Sequence, residues 1–85
     1  MDKVKAVVLE MHTKLMKESG IDRESLPELE IRPRNGITSE SIVALILDIE
    51  EALGIELDDY LAEIRVCKTI ADFIKIIEKA CEKND

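Results

Sequence analysis

The sequence predicts an all-α fold, a small four-helix bundle with three main helices, one short third helix and a long first loop. Several segments place apolar residues three and four positions apart, which is the spacing of one face of an α-helix. No segment alternates cleanly enough between apolar and polar residues to predict a strand. The 85 residues are expected to form one domain over residues 1–85.

The first helix is predicted over about residues 2–18. Its inner face carries Val4, Val7, Val8, Met11 and Leu15. Gly20 follows, and glycine is the favoured residue at the left-handed position that ends a helix. The single histidine, His12, lies outside this apolar set and is expected at the surface.

A long connection over residues 20–37 follows the first helix. Pro27 and Pro33 disfavour helix in the residues before them. Asn35-Gly36 is a turn signal that also occurs in hairpins, but the strongly helical sequence after it argues against a hairpin. Four apolar residues predict that the loop folds back onto the core: Ile21, Leu26, Leu29 and Ile31. Loops this long are uncommon in compact domains and are often functional.

The second helix is predicted over about residues 39–53, with Thr38 or Ser39 as its N-cap and Gly54 at its end. Its apolar stripe contains Ile42, Val43, Leu45, Ile46, Ile49 and Leu53. Three acidic residues lie on the other side: Asp48, Glu50 and Glu51. Leu47 lies off the stripe, and the pattern leaves open whether it is a core residue or an exposed partner contact.

Two further helices complete the prediction. A short third helix is expected over about residues 59–64, capped by Asp58 or Asp59. The fourth is expected over about residues 69–82, where Thr69 and Asp72 form a variant of the capping box. The inner face of the fourth helix contains Ile70, Phe73, Ile74, Ile77 and Cys81.

Composition limits the possible functions. A net charge of −7 argues against nucleic acid as a partner and favours basic protein partners, unless the acidity only keeps the chain soluble. No run of about 18 apolar residues predicts a membrane span, and the first residues do not resemble a signal peptide. Cys67 and Cys81 have no metal-ligand spacing, so a cytoplasmic protein with reduced thiols is expected.

No catalytic or metal-binding constellation is recognisable. The sequence has no cluster of histidine and cysteine that suits zinc, and Asp58-Asp59 lacks the order of a calcium loop. No serine–histidine or cysteine–histidine pair has motif support, and no glycine-rich phosphate loop exists. We therefore expect no metal, no catalytic residues and no enzyme activity.

Residues 36–59, GITSESIVALILDIEEALGIELDD, resemble the serine-led second helix of acyl carrier proteins. The resemblance covers most of the chain, because Thr69-Ile70-Ala71-Asp72-Phe73 is similar to the start of the last helix of that family. Relative to common members, about two residues are inserted between Leu57 and Thr69. The family's apolar positions correspond to Val43, Leu45, Ile46, Leu47, Ile49, Leu53 and Leu57, and its acidic positions to Glu50, Glu51 and Glu56.

This resemblance implies that Ser39 carries a 4'-phosphopantetheine arm, which a phosphopantetheinyl transferase attaches from coenzyme A. The thiol of the arm would hold an acyl group as a thioester and present it to acyl-transferring or synthase enzymes of fatty acid, polyketide or related synthesis. The implied partner-binding residues are Leu47, Asp48, Glu50 and Glu51, and a monomer is expected. A phosphodiester at a helix start also suits the positive end of the helix dipole.

The motif departs from the family pattern on both sides of the serine. Thr38 replaces the usual aspartate and Glu40 replaces the usual leucine. A rival alignment assigns the arm to Ser41, but it needs a two-residue deletion that would rotate the downstream stripe by about 200°. Ser39 is preferred and Ser41 is the reserve. The alternative function is a carrier-like helical module that is never modified and acts only by binding a protein.

Two basic residues near this motif stand out in an acidic sequence. Arg32 and Arg34 flank Pro33 in the long loop. They either balance local carboxylates or change which partners dock near Ser39.

Overall fold

The computed structural model describes residues 2–83. Four α-helices span these residues: α1 (Asp2–Glu18), α2 (Ser41–Leu53), α3 (Leu61–Val66) and α4 (Ile70–Lys83). Two short 3-10 helices precede α2 and α3, at Pro33–Asn35 and Asp58–Tyr60. No strand occurs in the described part of the chain, so the all-α prediction is confirmed. None of the helices in residues 2–83 is both long enough and apolar enough to cross a membrane.

The capping residues of α4 are those that the sequence predicts. The Thr69 hydroxyl accepts the Asp72 N–H at 3.2 Å, and the Asp72 carboxylate accepts the Thr69 N–H at 3.3 Å. These reciprocal bonds satisfy donors that have no partner inside the helix. The same carboxylate accepts the Lys68 N–H, and these backbone donors lower the pKa of Asp72.

The predicted start of the third helix is wrong in its details. A 3-10 turn occupies Asp58–Tyr60, and α3 extends to Val66. Neither Asp58 nor Asp59 is a cap, because the N-cap positions are Leu57 and Tyr60 and neither makes a side-chain capping bond. Leu57 and Tyr60 are buried, which shows that apolar packing determines this turn.

An aliphatic core lies between α1, α2 and α4. Its fully buried side chains include Val8, Met16, Leu45, Ile49, Leu57, Ile70, Phe73 and Ile77. Phe73 is the only phenylalanine, so branched aliphatic side chains fill most of the interior. At 25 cal/mol per Å² of apolar surface, each such residue stabilises the fold by roughly 1.5–3 kcal/mol.

The long loop folds back onto the junction between α3 and α4. The Ile31 N–H donates to the Lys68 carbonyl at 2.9 Å, and the Ile70 N–H donates to the Leu29 carbonyl at 2.9 Å. The Ala71 N–H donates to the Pro27 carbonyl at 2.8 Å. Loop carbonyls therefore satisfy the first amides of α4, which have no intrahelical partner.

Gly36 is the point where the loop turns toward α2. It is buried and has a left-handed φ of 78°. A Cβ added there would lie 3.4 Å from both the Cα and the Cγ of Met16 in α1. Both the backbone conformation and this close approach favour glycine.

Gly36→Ala is expected to lower the free energy of unfolding by about 2–3 kcal/mol, because it adds contact with Met16 to the cost of a left-handed alanine. Gly20→Ala is the matched control, since Gly20 has a φ of 83° and, apart from its chain neighbours, no atom of residues 2–83 lies within 4 Å of its added Cβ. That control is expected to lose only about 1 kcal/mol in urea denaturation. Equal losses in the two variants would show that the loop does not press on α1 at Gly36.

Candidate functional site

Reciprocal hydrogen bonds between Thr38 and Ser41 form the start of α2. The Thr38 hydroxyl accepts the Ser41 N–H at 3.0 Å, and the Ser41 hydroxyl accepts the Thr38 N–H at 2.7 Å. The Ile42 N–H donates to the Thr38 carbonyl at 2.9 Å, which is the first helical bond. Thr38 is therefore the side-chain cap, and Ser39 and Glu40 form a turn before the regular helix.

The two candidate serines differ in what their hydroxyls do. The Ser41 hydroxyl also donates to the Gly36 carbonyl at 2.7 Å, so its side chain is committed to the turn. Ser39 is exposed, and its hydroxyl has no hydrogen-bond partner among residues 2–83. Ser39 is therefore the serine whose oxygen is accessible without disrupting the fold.

An open cleft of about 600 Å³ lies between α2 and α3, and Ser39 lines it. Its walls are mainly apolar and include Ile42, Val43, Ile46, Leu47, Leu61 and Ile64. The volume lies within the range of about 300–1,000 Å³ that is usual for small-molecule sites. Glu50, Asp58, Arg65 and Cys67 add polar groups to its lining.

The predicted partner-binding residues on α2 have different environments. Leu47 is 58% exposed, and Asp48 and Glu51 are also exposed. Glu50 is half-buried, and its carboxylate accepts the Leu57 N–H at 2.7 Å. Glu50 thus secures the connection after α2, while the other three present an apolar group and two charges to solvent.

His12 is buried, so the prediction of a surface position is wrong. Its exposed fraction is 0%, and it lies four residues from Val8 and from Met16, which are also buried. The spacing Val4, Val8, His12 and Met16 marks the middle of the inner face. This spacing was visible in the sequence, but the polar ring suggested a surface position.

Both ring nitrogens of His12 hold the long loop. Nδ1 lies 2.6 Å from the Ser25 hydroxyl, and Nε2 lies 2.9 Å from the Asn35 carbonyl. Because a carbonyl only accepts, we assign the proton to Nε2, and Nδ1 then accepts from Ser25. Burial lowers the pKa of His12, and the bond to Asn35 opposes that shift only in part.

Asn35 extends this network to the rest of the loop. Its amide nitrogen donates to the Glu30 carbonyl at 2.8 Å, and its amide oxygen accepts from Arg23 at 2.9 Å. The residue is 3% exposed. The network therefore fixes residues 23–35 against α1 and positions the short segment that leads to Ser39.

Arg32 and Arg34 share one carboxylate in the loop. Arg32 Nε lies 2.6 Å from one Glu30 oxygen, and Arg34 Nη2 lies 3.4 Å from the other. The hydrogen bond from Arg32 is the main reason that the pKa of Glu30 is lowered. The arginine side chains remain 62% and 70% exposed, so most of each side chain stays accessible.

The thiol of Cys67 in the cleft lining and the ring of His12 in the core are both engaged in hydrogen bonds. The Cys67 thiol donates to the Ile64 carbonyl at 3.0 Å, and burial raises its pKa to about 11. A thiol with that pKa carries little thiolate at neutral pH. His12 has both nitrogens bound elsewhere, and no group of acidic, histidine or cysteine residues within residues 2–83 suits a metal ion.

Comparison with known proteins returned no match: no protein family, no curated protein and no solved structure resembles this chain closely enough to be assigned.

Ser41→Ala is expected to destabilise the protein by about 1–2 kcal/mol, because it removes one side of the capping bonds and the bond to Gly36. Ser39→Ala is expected to change the free energy of unfolding by less than about 0.5 kcal/mol, as at most exposed surface sites. Thermal and urea denaturation followed by circular dichroism would measure both. A larger loss in Ser39→Ala would contradict the assigned roles of the two serines.

The stability of the protein is expected to fall as the pH drops from about 7 to 5. Unfolded His12 titrates near about 6.5, whereas its folded pKa is lower, so the unfolded state binds more protons in this window. The neutral ring therefore gives its full stabilisation above about pH 6.5 and loses it as the pH falls through the folded pKa. Urea denaturation at several pH values would measure this slope, and His12→Gln should remove it.

Proposed function

We propose that this protein is a carrier of the acyl carrier type, in which Ser39 holds a phosphopantetheine arm and the cleft between α2 and α3 receives the group on that arm. The observation that carries the proposal is the contrast between the two serines. Ser39 has an exposed, unengaged hydroxyl beside an apolar cleft, whereas Ser41 is bound into the turn. The sequence resemblance selects the same serine.

The proposed modification is a phosphoryl-group transfer to the Ser39 oxygen. That oxygen attacks the phosphorus of coenzyme A that bears the pantetheine portion, forming a phosphodiester. The bond to the adjoining phosphate breaks, adenosine 3',5'-bisphosphate leaves, and a base of the transferase takes the hydroxyl proton. The resulting negative charge would lie near the N-terminal end of α2, where the helix dipole favours an anion.

The cleft suits an aliphatic group held as a thioester. Its walls come mainly from Ile, Val and Leu side chains of α2, α3 and the long loop, and none of the lining residues within 2–83 is aromatic. Burial of each methylene group of such a chain contributes about 0.8 kcal/mol. An open cleft of this kind allows the chain to enter and leave without a large change in the fold.

The exposed face of α2 gives the proposed carrier a surface for its enzymes. Leu47 supplies an apolar contact beside the cleft, and Asp48 and Glu51 supply charge. Charges of this kind raise encounter rates and specificity more than affinity. The proposed partners are a phosphopantetheinyl transferase and acyl-transferring or synthase enzymes, and brief docking suits a protein that moves between them.

An unmodified protein-binding module is the second candidate, and the cap of α2 favours it. Thr38 and Ser41 complete the helix start without an aspartate before Ser39. Glu40 adds an exposed carboxylate after the serine, where the family has a leucine. These two residues change the surface that a transferase would read, although they leave the Ser39 hydroxyl accessible.

Incubation of the protein with coenzyme A and a broad-specificity phosphopantetheinyl transferase is expected to add the mass of one phosphopantetheine. Ser39→Ala is expected to abolish this gain, because it removes the attacking oxygen. Ser41→Ala is the matched control and should still load, provided that circular dichroism shows it folded. Intact-protein mass spectrometry measures all three.

Two results would change the proposal. Loading that persists in Ser39→Ala and disappears in folded Ser41→Ala would move the arm to the reserve serine. No loading of the wild-type protein, beside a standard carrier that loads normally, would favour the unmodified module.

A further inference from the structure

Four exposed cations lie where the long loop meets the connection between α3 and α4, although the net charge is −7. We call this surface the basic rim, and it consists of Arg32, Arg34, Arg65 and Lys68. Its residues come from two segments that are distant in sequence.

Backbone hydrogen bonds bring these segments together near Ser39. The Ile31 N–H donates to the Lys68 carbonyl at 2.9 Å, which places the chain around residue 31 next to the chain around residue 68. The Ile37 N–H donates to the Arg32 carbonyl at 3.2 Å, so the loop returns to Arg32 just before the serine turn. Arg65 lines the same cleft as Ser39.

Neighbouring carboxylates neutralise this surface only in part. Glu30 is shared by Arg32 and Arg34, and the Asp72 carboxylate accepts the backbone amides of residues 68 and 69. Arg65 and Lys68 form no ion pair with any residue in the described range 2–83. The four cations of the rim therefore outnumber these two carboxylates, while Glu50 and Asp58 line the cleft beside Arg65.

The helix that follows Ser39 carries exposed carboxylates. Glu40 follows the serine directly, and Asp48 and Glu51 are exposed further along α2. Ser39 therefore lies between the loop that carries Arg32 and Arg34 and the helix that carries these carboxylates. Surfaces of opposite sign on the two sides of a site fix the orientation of a partner more strongly than one sign alone.

The shape and charge of the rim favour a protein surface as its ligand. The arginine side chains are 62% and 70% exposed and spread over the surface, whereas a site for a compact anion has converging, buried donors. The net charge of −7 repels extended polyanions such as nucleic acids and anionic membranes. At physiological salt, exposed charges more than about 8 Å apart are largely screened, so a short group of carboxylates at the rim is affected mainly by the rim, whereas a polyanion that extends over the rest of the surface meets its acidic residues as well.

We propose that the basic rim docks a carboxylate-rich surface of a protein that acts on Ser39, while the acidic face of α2 meets cations of the same protein. This inference rests on the proposed function, because it takes Ser39 as the place of action. It adds that the partner carries both charge signs, with its active site between them.

The test uses a matched pair of variants with the same net charge. The rim variant changes Arg32, Arg34, Arg65 and Lys68 to Gln, and the control variant changes four exposed lysines of α1, Lys3, Lys5, Lys14 and Lys17, to Gln. The probe is a short peptide of alternating Glu and Ser, added to the unloaded protein at about 0.15 M salt. Backbone amide chemical shifts report where it binds.

The expected result is a set of shifts confined to residues 30–37 and 65–69, with binding weakened roughly tenfold in the rim variant and unchanged in the control. If the loss of the Glu30 ion pairs perturbs the fold, Arg65→Gln with Lys68→Gln serves instead. The described structure shows no side-chain hydrogen bond from either residue.

Three outcomes would overturn the proposal: no shifts in the rim, equal weakening in both variants, or the same shifts with inorganic phosphate or anionic vesicles. The last would assign the rim to phosphate groups. The peptide is added to protein that carries no phosphopantetheine. A failure of the rim to bind the peptide is therefore a separate result from a failure of Ser39 to be modified.

Discussion

The position of Ser39 depends on how the long loop is fastened to the helices around it. His12 holds the loop from α1 through Ser25 and Asn35, and backbone bonds hold it to the start of α4. The loop cannot be anchored by burial alone, because its backbone polar groups need partners wherever they leave water. A buried neutral histidine with two satisfied nitrogens meets that need at one point, and Gly36 then allows the chain to turn closely past Met16.

This anchoring explains why the hydroxyl groups of two nearby serines have different environments. The Gly36 carbonyl is held in place and accepts the Ser41 hydroxyl, so Ser41 belongs to the turn. Thr38 completes the cap, and Ser39 is left outside this arrangement with its hydroxyl in solvent. The modification that we propose for Ser39 needs an accessible group on a rigid base. Here the capping bonds supply the rigidity and the residue between them supplies the accessible oxygen.

The same loop determines the charges around the site. A bond from the Ile31 N–H to the Lys68 carbonyl brings the residue before Arg32 to the segment that follows α3, while α2 exposes Asp48 and Glu51. Glu50 does not belong to that exposed acidic group, because its carboxylate accepts the Leu57 N–H. The net charge of the whole sequence is therefore a poor guide to the charge of the surface near Ser39. The arrangement of a few charged residues decides which partner could approach that serine.

The helices follow from local sequence, because apolar spacing, the Thr69–Asp72 capping box and the glycines after α1 and α2 act over a few residues. Sequence also marked the start of α2 and left open which residue capped it, which serine was accessible and whether Leu47 was exposed. Only the structure answered those questions, and it placed His12 inside against the prediction. The cap of α2 and the engagement of Ser41 rest on bonds three and five residues apart, whereas the position of the loop rests on partners such as His12 with Asn35 or Ile31 with Lys68, which lie more than 20 residues apart. No local pattern encodes such pairs, and they form only when the loop packs.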